Sequence, residues 1–139
     1  MAFIPAIYVD RRRCIGCNAC SLACQQENNF EKSPAAVAGA RTRMAAGERW
    51  NEVYSYEEGT YPRVWAKVFA ITMKRCTMCA HRLAAGLLPA CVITCPTDAR
   101  IFGDLEPADG KLQKLIRERK GWSLLPECNT NPSVFYLDE

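Results

Sequence analysis

Residues 14–24 read Cys14-Ile15-Gly16-Cys17-Asn18-Ala19-Cys20-Ser21-Leu22-Ala23-Cys24, which places four cysteines at C-x2-C-x2-C-x3-C spacing. A second block follows far along the chain as Cys76-x2-Cys79-x11-Cys91-x3-Cys95-Pro96. A C-x2-C-x2-C turn delivers three thiolates from one tightly wound loop, and a cubane iron-sulfur cluster needs four. The two blocks therefore predict two [4Fe-4S] clusters held by eight of the nine cysteines.

The fourth ligand of each cluster is expected to come from the other block. In two-cluster ferredoxins the last cysteine of each motif crosses over to the neighbouring cluster. The first predicted ligand set is therefore Cys14, Cys17, Cys20 and Cys95. The second predicted set is Cys76, Cys79, Cys91 and Cys24. This crossed pairing would tie the two halves of the chain into one unit.

Two other uses of cysteine fit the spacing less well. Structural zinc sites usually pair two C-x2-C knuckles, and they require neither a third cysteine in the first block nor the Cys95-Pro96 sequence. A disulfide framework is disfavoured because cysteines three residues apart are poorly placed for unstrained bridging. Cys128 has no partner at ligand spacing, so we expect an unligated thiol that is buried or half buried.

The length of 139 residues predicts a single domain. We expect one 4Fe-4S ferredoxin-type domain over residues 1–139, with an insertion at about 29–62 and a C-terminal extension at about 105–139. A core of this size is small, so the apo chain should fold poorly without its clusters. The formal charge of +3 becomes about −1 once eight thiolates hold two cluster cores. The excess of Lys and Arg therefore indicates compensation of cluster charge rather than a nucleic-acid surface.

No stretch of the sequence predicts a membrane span. The longest apolar segments, such as Leu83 to Ile93, contain Gly and Pro and fall short of the roughly 20 residues that a spanning helix needs. The opening Met1-Ala2-Phe3-Ile4-Pro5 is too short for a signal peptide. We therefore expect a cytoplasmic protein, or one that is exported only with a partner carrying the signal.

The predicted elements follow a βαββαβ-like order, which makes the fold class α+β. Residues 6–10 and 63–71 indicate strands that lead into the two cysteine blocks, and Ser21 to Asn28 indicates a short helix. Two helical turns are expected from Ala80 to Gly86, and residues 99–103 should form the matching strand. The pattern is typical of a ferredoxin-like fold with two [4Fe-4S] clusters.

The regions outside the cysteine blocks predict a long inserted loop, a C-terminal helix and an extended tail. Residues 31–49 are rich in Ala, Gly and Arg, which favours an exposed loop or a short surface helix. Pro107 to Lys120 predicts a helix that stops at Gly121. Its apolar face carries Leu112, Leu115 and Ile116. Its basic face, which we expect to be solvated, carries Lys111, Lys114, Arg117, Arg119 and Lys120. The apolar residues 131–137 either return to the sheet or pack on a partner.

Motifs around the cysteines extend over nearly the whole chain. The second block lies within Lys74-Arg75-Cys76-Thr77-Met78-Cys79-Ala80-His81-Arg82-Leu83, Pro89-Ala90-Cys91-Val92, Cys95-Pro96-Thr97 and Ile101-Phe102-Gly103-Asp104-Leu105. The first block lies between Tyr8-Val9-Asp10 and Gln25-Gln26-Glu27-Asn28, and Glu57-Glu58-Gly59-Thr60-Tyr61-Pro62 and Pro132-Ser133-Val134-Phe135-Tyr136-Leu137 follow. Together these motifs resemble those of the iron-sulfur subunits of complex molybdopterin oxidoreductases, of the dimethyl sulfoxide reductase and polysulfide reductase type.

The resemblance implies a non-catalytic electron-transfer subunit. Such a subunit passes single electrons between a large molybdenum or tungsten pterin catalytic subunit and a further electron donor or acceptor. Family members usually carry four cysteine motifs and four clusters, so this chain resembles the family with its inner ferredoxin domain deleted. Asp98 stands where the family more often has Gly, and Cys128 where it tends to have Leu. Neither difference changes the ligand sets.

The remaining side chains predict no catalytic chemistry, because cluster potentials depend on hydrogen bonds to sulfur, charge and exposure. His81 beside Arg82 predicts packing or a hydrogen bond, with tuning of the second cluster as the alternative. Trp50, Trp65 and Trp122 are expected to be core or interface aromatics.

Two other functions stay open on the sequence. A free-standing soluble two-cluster ferredoxin would use the same cysteines, although it would hardly need the long insertion or the C-terminal extension. A purely structural use of the clusters predicts that folding depends on iron and that the clusters are not reversibly reduced.

Overall fold

The structure of the chain is a computed structural model. It describes residues 3–28, 50–60, 63–72 and 76–137, and for residues 54–59 and 63–72 it describes the backbone alone. The loop or helix predicted over residues 31–49 lies outside the described residues. Helices and two small sheets are both present, which agrees with the predicted α+β class.

The described part of the first half of the chain contains one helix and three strands. Strand β1 (Pro5–Asp10) precedes helix α1 (Ala19–Glu27). Strands β2 (Asn51–Thr60) and β3 (Arg63–Thr72) then form a long antiparallel hairpin. The strands predicted at 6–10 and 63–71 are confirmed, and the first helix begins two residues earlier than predicted.

In the second half, the residues that the structure describes form three helices, two strands and one 3-10 turn. They are α2 (Ala80–Ala84), α3 (Ala90–Ile93), β4 (Arg100–Asp104), α4 (Lys111–Glu118), the 3-10 turn Pro126–Cys128 and β5 (Val134–Leu137). Gly86 closes the turn after α2 with a φ of +74°, a conformation that glycine adopts without strain. Helix α4 is shorter than predicted because the Gly110 amide donates to the Pro107 carbonyl at 2.7 Å, which closes a separate turn before the helix.

The main sheet has the order β4-β1-β5. Strand β1 pairs antiparallel with β4, so that Ile7 lies opposite Phe102, and parallel with β5, so that Tyr8 lies opposite Phe135. The tail therefore returns to the sheet, which was one of its two predicted destinations. A central strand covered on both faces reads as a continuous apolar run, and Ala6, Ile7, Tyr8 and Val9 are all fully buried.

The two faces of β1 pack against different parts of the chain. Ile7 and Val9 share a core with Met78 and with two cysteines, Cys20 and Cys91. Ala6 and Tyr8 point to the opposite face, where they pack with Leu112 of α4 and with Leu137. This alternation follows from the two-residue period of a strand. The main sheet therefore separates the cysteines from helix α4.

Helix α4 and the residues after it lie against the main sheet. Leu112 is buried and Ile116 packs beside it, as the sequence pattern predicts. The chain turns at Lys120, which has a φ of +46°. Gly121 follows in a tight place, because an added Cβ would lie 3.2 Å from the Leu137 side chain.

The predicted solvated face of α4 is correct for four of its five basic residues. Lys111, Lys114, Arg117 and Lys120 are exposed. Arg119 is not: it is half-buried, and its Nη1 donates to Oδ2 of Asp10 at 2.6 Å. Asp10 is buried at the end of β1, and a buried carboxylate requires a partner. Arg119 is thereby drawn out of the solvent and ties α4 to β1.

Candidate metal centre

Cysteine side chains line two neighbouring hollows on the Ile7 and Val9 face of β1. The first hollow has about 350 Å³ including its opening to solvent and is lined by Cys14, Cys17, Cys20 and Cys95, with Val9 at its wall. The second hollow is of the same size and is lined by Cys24, Cys76, Cys79 and Cys91, with Ile7 at its wall. The structure thus brings together the four cysteines of each predicted set, and the assignment of these cysteines as ligands stays a prediction. In the ranges that the structure describes, no three Cys, His, Asp or Glu side chains form a group that could hold a single metal ion.

The loop that carries Cys14 and Cys17 is anchored at Asp10. The Asp10 carbonyl accepts hydrogen bonds from the amides of Arg13 and Cys14, at 3.2 and 3.1 Å. Its carboxylate accepts from the Arg12 amide at 3.1 Å and from Arg119. Burial alone would raise the pKa of Asp10, but these donors and the charges of Arg119 and Arg13 hold the pKa below its ordinary value. Asp10 is therefore a fixed anion from which the first cysteine loop starts.

Two left-handed residues wind the first loop. Gly16 has a φ of +72° and Asn18 a φ of +61°, both in a region that Gly and Asn adopt more easily than other residues. Helix α1 starts directly afterwards and carries Cys20 and Cys24 one turn apart on its buried side. Cys20 lines the first hollow and Cys24 the second, so one helix contributes to both.

The second hollow lies between α1, α3 and the loop that precedes α2. Met78 and Cys79 both have a φ of +52°, which turns the loop tightly around Cys76 before α2 begins. The Met78 amide donates to the Cys76 sulfur at 3.4 Å. Helix α3 starts after the buried Pro89 and carries Cys91 inwards. The second half of the chain thus supplies three thiols to this hollow and α1 supplies the fourth.

The thiols differ in how readily they ionise. Burial raises the pKa of Cys24 to about 12 and of Cys91 to about 11, and repulsion from neighbouring thiolates adds to the effect. Burial also acts on Cys95, but hydrogen bonds from Thr97, Ala99 and Arg100 outweigh it and lower the pKa of that thiol. The Ala99 amide lies 3.3 Å from the Cys95 sulfur.

The donor set of each hollow fits an iron-sulfur cluster. Four soft thiol ligands select Fe–S clusters, zinc or Cu(I) over hard cations. A bound metal core deprotonates its coordinating thiols outright, which removes the pKa barrier that burial sets up at Cys24 and Cys91. Backbone amides already directed at the sulfurs of Cys76 and Cys95 are the hydrogen bonds that tune such clusters.

A buried arginine lies between the hollows. Arg100, at the start of β4, lines both of them and is 4% exposed. Its guanidinium hydrogen-bonds the side chains of Cys20 and Cys91, one from each predicted ligand set. Its Nη2 also donates to Oδ1 of Asn51, the first residue of β2, at 2.5 Å. The wall between the hollows therefore carries a positive charge.

The family model that describes the 4Fe-4S dicluster domain matches residues 6–105. The chain belongs to this 4Fe-4S dicluster family. The matched range contains all eight cysteines of the two hollows, and Cys128 lies outside it. The prediction of [4Fe-4S] clusters is therefore confirmed. The relatives described next confirm the resemblance to the iron-sulfur subunits of oxidoreductases.

Curated relatives of this dicluster chain are subunits of oxidoreductases. The iron-sulfur subunit of the arsenate respiratory reductase of Shewanella sp. strain ANA-3 is 34% identical over 89% of this chain and 58% of its own length. A subunit of the sulfite dehydrogenase of Allochromatium vinosum is 32% identical over 94% of this chain and 42% of its own length. A subunit of the tetrathionate reductase of Salmonella typhimurium is 27% identical over 95% of this chain and 71% of its own length. The chain spans about half the length of the first two relatives.

Two predictions about single side chains in the dicluster chain can be compared with the structure. His81 makes the predicted hydrogen bond: its Nε2 lies 2.8 Å from Oε1 of Glu27, and Arg82 donates to the other oxygen of the same carboxylate at 3.1 Å. These contacts link α2 to α1.

The prediction that Cys128 is buried or half-buried was wrong, because its side chain is exposed in the 3-10 turn. The turn has left-handed residues at both ends, Leu125 and Asn129, and lies within residues 124–131, which are all exposed.

The structure describes the side chains of two of the three tryptophans, Trp50 and Trp122. Trp122 packs on Tyr136 with ring centroids 4.8 Å apart, and Arg11 lies 5.7 Å above its ring, which agrees with a core aromatic. Trp50 lines the second hollow. The side chain of Trp65 is outside the described part of the structure.

Sequence reasoning missed Arg100, Asn51 and the role of Asp10. Arg100 did leave a signal: it is a charge between Ala99 and Ile101, directly after a cysteine block, where the strand pattern calls for a buried residue. Asn51 left none, because it is one polar residue next to a segment without a motif. Within the described ranges, no helix combines the length and apolar character that crossing a membrane requires.

Proposed function

We propose that this chain is the electron-transfer subunit of a molybdenum or tungsten pterin oxidoreductase complex. It carries two [4Fe-4S] clusters and passes single electrons between the large catalytic subunit and a further redox partner. The observation that carries the proposal is the pair of neighbouring hollows, each lined by four thiols, with Arg100 in the wall between them. Two redox sites that share a wall can pass an electron from one to the other. A single site can only take up an electron and release it again.

The proposed ligands follow the two hollows. Cys14, Cys17, Cys20 and Cys95 hold the first cluster. Cys24, Cys76, Cys79 and Cys91 hold the second. When bound, a [4Fe-4S] cluster takes up and releases one electron at a time, and no covalent bond of a substrate is made or broken on this chain. The chain's own residues hold the sulfurs in place, donate backbone hydrogen bonds to them and limit their contact with water.

We further propose a ferredoxin-like single domain over residues 1–139, with an insertion at about 29–62 and a C-terminal extension at about 105–139. In support, each hollow takes thiols from both cysteine blocks, so neither half of the chain can complete a site alone. The extension also contributes β5 to the main sheet, next to β1. The predicted core is therefore shared between the two halves and the extension.

The names of the relatives support the class of partner. The Shewanella protein is named as the iron-sulfur subunit of a respiratory reductase, and the Allochromatium and Salmonella proteins are each named as one subunit of an oxidoreductase. Such names describe chains that work beside other chains. The resemblance of the motifs to molybdopterin oxidoreductase subunits gives the partner its chemistry.

A free-standing two-cluster ferredoxin is the second candidate. One observation favours it: all eight thiols that line the two hollows belong to this chain, so both sites can form without a partner subunit. Purification of the native protein distinguishes the two candidates.

The test is elemental analysis of the native protein, purified without oxygen from its own host through a tag on this chain. We expect about eight irons per chain, together with molybdenum or tungsten in a co-purifying large subunit. A tagged Cys128→Ser variant is the matched control and should purify with the same metals, because that thiol is exposed and lines neither hollow. About eight irons with neither heavier metal nor a large subunit would identify a free ferredoxin.

Reversible reduction separates electron transfer from a structural use of the clusters. Stepwise reduction and reoxidation of the loaded chain should be reversible for both clusters, each by one electron. Clusters that are needed for folding but are destroyed on reduction would contradict the proposal.

A further inference from the structure

Arg100 is placed to act on both hollows at once. It is buried, and its guanidinium contacts Cys20 of the first hollow and Cys91 of the second. Helices α1 and α3, which carry these cysteines, each contribute to the wall in which Arg100 lies. The two hollows have no cysteine in common, but both are in contact with the Arg100 side chain.

Asn51 holds the guanidinium in this position. Its Oδ1 accepts from Arg100, and its backbone carbonyl accepts from the Ser21 hydroxyl of α1 at 2.6 Å. The Asn51 amide nitrogen is buried and has no hydrogen-bond partner among the described residues. Asn51 lines the second hollow but not the first. Its amide is thus a spare donor at the wall of the second site.

A buried cation is costly unless negative charge lies close by. Here the negative charge is that of the thiolates that line the walls beside Arg100, Cys14 and Cys20 on one side and Cys24 and Cys91 on the other. These cysteines come from both hollows. Because charges interact more strongly in the interior than in water, a fixed cation in the wall favours the more negative state of either site.

We infer that Arg100 is a shared cation that raises the reduction potentials of both clusters, and that Asn51 is the positioning residue that keeps it between them. This inference rests on the proposed function, since it requires two clusters that are reduced in turn. Each one-electron reduction adds one negative charge to a site. Arg100 stabilises that charge in either hollow, which keeps both clusters reducible when the neighbouring one already holds an electron.

The test is a redox titration of the loaded chain, followed by magnetic resonance of each reduced cluster. In Arg100→Gln we expect the reduction equilibrium constants of both clusters to fall at least about tenfold, which is about 59 mV for a one-electron couple. The matched control is Arg117→Gln, which removes the same charge from an exposed position on α4 and should leave both potentials unchanged. Arg100→Lys keeps the charge and should restore most of the loss.

Asn51→Asp tests the positioning residue without removing the arginine. The carboxylate still accepts from Arg100, but it neutralises its charge and removes the spare amide donor from the second hollow. Both potentials should fall, and that of the second cluster should fall further. A fall confined to one cluster in Arg100→Gln, or no fall in either, would overturn the inference.

Arg100→Lys, the conservative variant, keeps the test decisive if the other variants do not fold. If Arg100→Gln and Asn51→Asp fail to bind iron, Arg100→Lys decides: normal iron with potentials close to the wild type supports a role for the charge. Failure of Arg100→Lys to bind iron would overturn the inference, because the role would then be one of packing. The wild-type titration distinguishes failure of this inference from failure of the proposed function. A wild-type chain without two reducible clusters would contradict the proposed function itself.

Discussion

The two hollows have the same size and the same number of thiols, but the thiols of the two hollows differ in their exposure to solvent. In the first hollow Cys17 is exposed, Cys14 and Cys95 are half-buried, and Cys20 alone is buried. In the second hollow Cys24, Cys79 and Cys91 are buried and Cys76 is half-buried. The comparison shows that two sites with identical donor chemistry can be given different surroundings by the elements around them, and exposure is one of the quantities that set the potential of a cluster.

The difference follows from local structure. Three cysteines of the first hollow come from one surface loop and the helix start behind it, and Ile15 of this loop is 62% exposed. The second hollow is lined by α1, α3, the loop before α2 and the fully buried Pro89. We therefore expect the first cluster to be the more accessible one for a partner, and the second to be the more protected one.

The largest effect is expected from substituting single proposed ligands on helix α1. Cys20 and Cys24 are both buried and lie one turn apart, which makes Cys20→Ser and Cys24→Ser a matched pair. Each should lower the iron content from about eight to about four, with the first cluster lost in Cys20→Ser and the second in Cys24→Ser. Iron analysis with magnetic resonance of the remaining cluster measures this. Loss of the first cluster in Cys24→Ser would show that the crossed pairing is wrong.

The two clusters should lose their iron to a chelator at different rates. A strong chelator added to the oxidised protein should remove iron from the first hollow several-fold faster, because Cys17 is exposed while three of the four thiols of the second hollow are buried. Magnetic resonance of samples reduced at successive times follows both clusters. Equal rates would mean that the difference in exposure has no consequence for stability.

A moderate effect is expected from Asp10→Asn, and it should be confined to the first hollow. Asn keeps one acceptor for the Arg12 amide but loses the charge that binds Arg119, which should cost about 1–3 kcal/mol of unfolding free energy. Denaturant unfolding of the loaded protein measures the loss, and the first cluster should also become easier to chelate. Asp109→Asn, at an exposed position, is the control.

The loss in Asp10→Asn should depend on pH in one direction. The folded-state pKa of Asp10 is lowered, so its charge stabilises the fold above the unfolded-state pKa of about 3.9 and the contribution disappears as pH falls through the lower folded-state value. Wild type and variant should therefore converge in stability only below about pH 3.9. Convergence already near pH 6 would contradict the ion pair as the cause.

The smallest effect is expected at Cys128. Cys128→Ala should leave the iron content, both potentials and the unfolding free energy unchanged, because the thiol is exposed and lines neither hollow. Iron analysis and a redox titration check this. A lower iron content would give the ninth cysteine a role that neither hollow accounts for.

The sequence predicted the parts of this molecule that depend on spacing and period. The cysteine blocks, the strand before each of them and the apolar face of α4 follow from repeats of two, three or four residues. The long-range contacts do not: Arg100 with Asn51 and Asp10 with Arg119 join residues 49 and 109 positions apart. Nothing local marks an arginine as the partner of a distant residue, so a half-buried Arg119 was expected in solvent. Cys128 was misjudged for the opposite reason, since a general tendency of thiols to be buried was applied to a turn whose residues are all exposed.

The parallel pairing of β1 with β5 also has a consequence for how the chain matures. Strand β1 is made early, but both of its neighbours, β4 and β5, lie in the last third of the sequence. At ordinary rates of synthesis the ribosome needs roughly 6–25 s to proceed from Asp10 to Leu137. Until translation passes Cys95 the first block of cysteines lacks its complement of thiols from the second block, and until it passes Leu137 the main sheet lacks β5. The sheet that backs both hollows is therefore completed only after all eight cysteines that line them have been synthesised.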